Sequence, residues 1–133
     1  MRRRVVITGL GVVAPGGIGK DAFWNSIREG KSMASRITKF DVSSYPSQIA
    51  SEVKGFDPTD FMNPKVARRT ERSAHFALAS AKMAFEDSSL KIDSEDSEKI
   101  GVFEGTSLGP LAWLVEQHTV FMEKGYQRIH PLS

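Results

Sequence analysis

The run VVITGLGVVAPGG, from Val5 to Gly17, constrains the fold more than any other stretch of the chain. Three β-branched residues, Val5, Val6 and Ile7, follow the charged opening Arg2-Arg3-Arg4 and lead into glycines. A continuous apolar run that ends in glycine suits a strand buried on both faces, and such strands belong to α/β sheets. The same letters admit two nucleotide readings. Gly9 to Ala14 has the spacing of a dinucleotide-binding fingerprint, and Ala14 to Lys20 (APGGIGK) has most of a phosphate-binding loop.

Local chemistry weighs against both readings. In a dinucleotide unit the second glycine opens a helix whose amides and dipole hold the pyrophosphate. Here Gly11 is followed by Val12, Val13, Ala14, Pro15, Gly16 and Gly17, and paired glycines oppose a first helical turn. The spacing predicts a helix from near Lys20, too far from Gly9, and Lys31 to Arg36 offers no acidic residue for a ribose. A phosphate loop needs a hydroxyl after Lys20 to hold magnesium, but position 21 is aspartate. A carboxylate there takes the positive end of the helix dipole, so Asp21 is expected to cap a helix.

That helix, Asp21 to Gly30, places Phe23, Trp24 and Ile27 on one side and stops at Gly30. From about Lys31 to Asp60 the text turns to Ser, Pro, Lys and Asp, with a short, partly exposed strand expected at Ile49 to Val53, where Ile49, Ser51 and Val53 share a face. Asn63-Pro64 signals a helix start, a capping residue before proline. The long helix it predicts repeats Ala74, Ala77, Leu78, Ala81, Ala84 and Phe85 on its core face, broadened by Phe76 and Met83. After the polar stretch 87–99, Ile100 to Phe103 predicts a second buried strand. Pro110 then starts a third helix with Leu111, Ala112, Val115, Thr119 and Met122 on one face and Gly125 at its end. Tyr126 to Ser133 are expected to leave it without a further element. The order strand, helix, small strands, helix, strand, helix is α/β, in one segment 1–133 with no internal boundary.

Composition narrows the function. The 133 residues are 40% hydrophobic and 26% charged with a net charge of +2, which fits one globular unit and excludes the basic stripe of a nucleic-acid binder. No run approaches the roughly 20 apolar residues that span a bilayer, and Val5–Val13 lacks the cleavage site of a signal peptide. A cytoplasmic protein is the expectation. The chain has no cysteine, which removes disulfides, thiolate metal sites and any thiol nucleophile. His75, His118 and His130 lack the spacing of a helical zinc site, so no metal is expected.

Four blocks in this order, RRVVITGLGVVAPGGIGKDAFWNSIREGKS, FDVSSYPSQIASEVKGFDP, RRTERSAHFALASAKMAFEDS and IGVFEGTSLGPL, resemble the amino-terminal part of β-ketoacyl-acyl-carrier-protein synthases, the elongating type II condensing enzymes. The resemblance spans essentially the whole chain. It implies a thiolase-like fold, in which the first block is a strand and turn and its glycines serve turns and tight packing. It implies a decarboxylative Claisen condensation in fatty-acid or polyketide synthesis, without a cofactor. In that family a cysteine takes an acyl group from an acyl-carrier protein, two histidines assist decarboxylation of malonyl-carrier protein, and backbone amides stabilise the oxyanion.

Those catalytic residues lie downstream of the region matched here, so these 133 residues are expected to be an amino-terminal piece that is inactive alone. Missing strands are expected to leave apolar faces exposed and to favour association. The alternative reading is a non-catalytic binding or scaffold protein derived from the same fold. The resemblance places the acyl-chain pocket at Gly105-Thr106-Ser107-Leu108-Gly109-Pro110, with Leu108, Ser107 and Thr106 as substrate-binding residues. Ser107 and Pro110 replace usual glycines of that turn, and Glu104 stands where an apolar residue is usual. His118 matches a non-catalytic histidine of the third helix. Arg68, Arg69 and Arg72 form a basic stretch on which an acidic carrier protein would dock, and the resemblance implies a homodimer.

Overall fold

The computed structural model describes residues 3–91 and 97–131. Their elements are the strands β1 (Val13–Ala14), β2 (Gly17–Ile18), β3 (Ala34–Arg36) and β4 (Ile49–Ser51) and the helices α1 (Lys20–Arg28), α2 (Pro64–Ala67), α3 (Arg72–Ser88) and α4 (Leu111–Lys124), joined by short 3-10 turns.

The glycines of the opening run are there for room. A Cβ on Gly11 would collide with the Ser80 carbonyl and lie 2.8 Å from the Ala84 nitrogen. One on Gly9 would collide with the Ala84 carbonyl and lie 2.7 Å from the Ser88 nitrogen. Neither glycine has a positive φ, so the requirement is close approach to α3, not an unusual backbone. Between them the Leu10 N–H donates to Asp87 Oδ2 at 3.0 Å, and Lys20 pairs with the other oxygen of the same carboxylate. One side chain on α3 thus ties down both the glycine segment and the start of α1.

The APGGIGK stretch is a hairpin. β1 and β2 pair antiparallel, Val13 with Ile18 and Ala14 with Gly17, around Pro15-Gly16. The Gly19 N–H then donates to the Val12 carbonyl at 2.8 Å. Gly19, at φ +90°, occupies the cap position of α1 with no side-chain cap bond. Asp21 is therefore not the cap expected from the sequence. It lies in the first helical turn, where its charge still complements the dipole. Gly30 closes the helix at φ +65°, as expected.

Two expected strands are not strands here. Val5 to Ile7 belong to an irregular segment and are open to solvent, Val5 at 92% exposure. Ile100 to Phe103 are likewise unpaired, with Val102 90% and Phe103 98% exposed. A strand buried on both faces needs neighbours for its backbone and layers for its side chains. Among the described residues the only ladders are β1 with β2 and β3 with β4. The β3–β4 ladder pairs Ala34 with Ser51, Ser35 with Ala50 and Arg36 with Ile49. It is shorter than the expected Ile49–Val53 strand, and Ala50, not Ile49 or Ser51, is its covered position.

The long helix begins later than Asn63-Pro64 implies. Asn63 Oδ1 accepts the Lys65 N–H at 2.8 Å, but the helix it caps ends at Ala67. Glu71, in extended conformation, then caps α3 by accepting the N–H and the O–H of Ser73, each at 2.8 Å. This second cap offers the backbone a local alternative to continuing the helix. On α3 the buried position is Ala79, with Phe76 and Met83 half-buried beside it. Leu78 and Ala81, expected on the core face, are exposed.

α4 has the expected limits but packs by another face. Trp113, Gln117 and Val120 are half-buried, whereas Leu111, Ala112, Val115, Thr119 and Met122 are exposed. The chain after Gly125 does not simply leave. A 3-10 turn, Tyr126–Arg128, brings His130 back, its N–H donating to Gln117 Oε1 at 2.8 Å and its ring edge-on to Trp113 at 5.1 Å. The returning segment, not helix periodicity, selects the face.

Both halves of the α3 junction can be tested through stability. Gly11→Ala forces Cβ into helix backbone that cannot swing aside, so urea unfolding is expected to show a loss of roughly 1–3 kcal/mol. Asp87 is held below the usual carboxylate range by the hydrogen bond from Lys20 and that from the Leu10 amide. A lowered folded value contributes stability that is full above the unfolded value and is lost as pH falls through the folded one. Asp87→Asn is therefore expected to lower the denaturation midpoint at neutral pH and flatten its dependence below about pH 4.

Candidate functional site

A cleft runs between the first half of α3 and the segment that leads into α4. Two adjoining cavities occupy it. One, of about 420 Å³, is lined by Arg69, Glu71, Glu104, Thr106, Pro110 and Trp113 among others. The second, of about 730 Å³, is lined by Phe76, Ala77, Leu78, Val102 and Phe103. Ser73, Ala74, Glu104 and Thr106 border both.

The turn at the mouth is built from short-range bonds. Thr106 Oγ1 accepts the Gly109 N–H at 3.2 Å, and the Gly109 carbonyl accepts the Leu111 N–H at 2.9 Å. Gly109 has φ +56°, a conformation open to glycine and strained for most other residues. Pro110 then caps α4 without a side-chain bond. Of the three residues assigned to substrate from the sequence, Thr106 faces the cleft. Ser107 and Leu108 are exposed, Leu108 at 65%, and line neither cavity.

The opposite wall is electrostatically settled. Burial of Glu71 opposes its charge, but the hydrogen bonds from the Ser73 amide and hydroxyl outweigh it and hold the carboxyl below its usual value. Glu71 is thus an ionised cap. The Ser73 hydroxyl donates to it, so this hydroxyl and this carboxylate are engaged with each other. The chain has no cysteine, so no thiol lines the cleft. Among the described residues no group of three or more His, Asp or Glu could hold a metal ion. The former nucleotide candidates are spent on structure, the glycines against α3 and Lys20 on Asp87.

The histidines sit apart from the cleft chemistry. His75 Nε2 bonds the Ala67 carbonyl at 3.0 Å, His130 packs on Trp113, and His118 is exposed. Sequence reasoning missed Trp113 and Glu71 as wall residues. The only signal for Trp113 was a large aromatic in the first turn of a helix opened by proline.

The profile of the family described as β-ketoacyl synthase, N-terminal domain, matches residues 2–133. Similar curated proteins include a 3-oxoacyl-[acyl-carrier-protein] synthase 2 of Coxiella burnetii, 41% identical over 130 residues, which cover 98% of this chain and 31% of that protein. Its counterpart in Synechocystis sp. is 38% identical with the same coverage. Among solved structures, the ishigamide ketosynthase/chain length factor superposes with a TM-score of 0.78 at 28% identity, over 99% of this chain and 33% of that one. A ketosynthase bound to a hexaketide, in complex with its type II acyl-carrier protein, gives 0.72 at 31% identity, over 98% and 30%. The chain therefore spans 31% of the length of these two curated relatives. Its fold is the amino-terminal part of the thiolase-like fold of those ketosynthases, and by residues and backbone alike the chain belongs to the β-ketoacyl synthase family.

Proposed function

We propose that this chain forms the amino-terminal segment of a β-ketoacyl-acyl-carrier-protein synthase of fatty-acid or polyketide assembly. The observation that carries the reading is the collinear match over residues 2–133, joined to a structure that spends the glycines on α3 and presents a shaped cleft beside the Gly105–Pro110 turn. The reaction is a decarboxylative Claisen condensation. A malonyl thioester loses carbon dioxide, and the carbanion attacks an acyl thioester on an enzyme thiolate, which leaves as the carbon–carbon bond forms.

These 133 residues supply framework and acyl-side wall and do not condense alone, since they hold no thiol. Val5 to Ile7 and Ile100 to Phe103 act as inner strands that pair with the remainder of a whole synthase, and the exposure of Val5 to Ile7, Val102 and Phe103 supports this. Thr106, Ser107 and Leu108 border the acyl chain, a reading supported for Thr106 by its place in the lining of the cleft. The partner is an acyl-carrier protein, which delivers acyl and malonyl groups and docks on the exposed Arg68 and Arg69. Relatives named as acyl-carrier-protein synthases and a neighbour solved with its carrier support this partner. The whole protein works as a homodimer in the cytoplasm. No helix among the described residues is long and apolar enough to cross a membrane.

The test is intact mass of the gene product at its native length, before and after incubation with an acyl-carrier-protein thioester. Gain of one acyl group, removed by malonyl-carrier protein, is expected. A native product of 14.7 kDa that never gains mass overturns the reading. In the same protein, Leu108→Phe is expected to shorten the acyl chains elongated by about two or more carbons, read by mass spectrometry of the products, because the larger ring takes space beside the turn that the acyl chain is proposed to border.

A further inference from the structure

The three arginines of the basic stretch are not equivalent. Arg68 and Arg69 follow α2 and are exposed, whereas Arg72 is turned into the protein and half-buried. Its guanidinium lies 4.8 Å from the ring centre of Phe76 and 5.9 Å from that of Phe56. One Nη donates to the Val53 carbonyl at 3.0 Å. Phe56 in turn stacks on Phe61 at 5.6 Å and meets Phe76 edge-on at 5.0 Å. From further along α3, Lys82 donates to the Asp60 carbonyl at 3.3 Å. The segment from Val53 to Phe61 is thus clamped to α3 through one planar cation and three rings.

The clamp also governs α2, the next element of the chain. With four residues, α2 is too short to hold a helix by itself. It is anchored at its far end by the Ala67 carbonyl on His75 Nε2 and at its near end through Phe61 to the ring cluster. Arg68 and Arg69 stand directly after it, at the break before α3, so their placement depends on those two anchors.

We propose that Arg72 is a positioning residue for partner docking: it holds the Arg68–Arg69 turn in the geometry that an acidic carrier protein meets, and adds no charge to the docking face itself. This rests on the proposed carrier-protein partnership. The planar guanidinium does what an ammonium cannot, lying against two rings while donating sideways to a carbonyl.

The experiment uses the gene product at its native length with malonyl-acyl-carrier protein as the probe, and compares wild type, Arg72→Lys, Phe56→Leu and the double variant Arg68→Gln/Arg69→Gln. Binding is measured at several salt concentrations, together with amide hydrogen exchange over residues 66–70. Arg72→Lys, which keeps the charge, and Phe56→Leu, which never had one, are each expected to weaken binding about three- to tenfold with the wild-type salt dependence, and to speed exchange at Ala67 to Thr70. The double variant is expected to weaken binding and flatten the salt dependence, with exchange unchanged. Arg72→Lys binding and exchanging like wild type overturns the positioning role. Faster exchange in Arg72→Lys, beside a double variant that binds as wild type, overturns the carrier-protein reading and leaves the positioning role standing.

Discussion

The described structure depends on one contact between two backbones. At Gly9 and Gly11 the opening segment lies so close to α3 that side-chain carbon would overlap helix carbonyls. Because alternate residues of such a segment face the same way, glycine is needed at both positions and Leu10 between them is free to point out. The approach brings the Leu10 amide within reach of Asp87, and the same carboxylate gathers Lys20. Segment, hairpin, α1 and α3 thus share one junction, built from a missing Cβ and a single acid.

That junction explains why a glycine pattern shared with nucleotide sites has no cradle here. A phosphate loop keeps its glycine amides and its lysine open to an anion. In this chain Gly9 and Gly11 are covered by α3, the loop at Pro15-Gly16 closes as a two-strand hairpin, and the lysine already has its carboxylate. What stays open is elsewhere, in the cleft beside the turn that leads into α4. Around it the Glu71 carboxylate caps α3 through Ser73 and the Thr106 hydroxyl holds the turn through the Gly109 amide.

Charge tells a parallel story. Arg68, Arg69 and Arg72 read as one basic stretch in sequence, yet the break before α3 separates them into two exposed cations and one folded against aromatic rings. The break itself comes from Glu71, whose carboxylate caps α3 and gives the backbone a reason to restart. A cap residue, not a proline or glycine, therefore decides which arginines face solvent.

Short-range chemistry was legible in the letters. Helix limits at Gly30, Pro110 and Gly125, the cap at Asn63, the structural fate of the glycines and the family itself all rest on local backbone preference or on the order of motifs along the chain. Tertiary structure alone decided the rest. Which face of α4 is covered depends on His130 returning to Trp113, and which face of α3 is buried depends on what lies across it. Val5 to Ile7 and Ile100 to Phe103 carry the composition of inner strands, but a strand exists only where another offers hydrogen bonds and cover. Periodicity says that a segment is fit to be buried; the neighbour that buries it is a long-range fact which no local pattern contains.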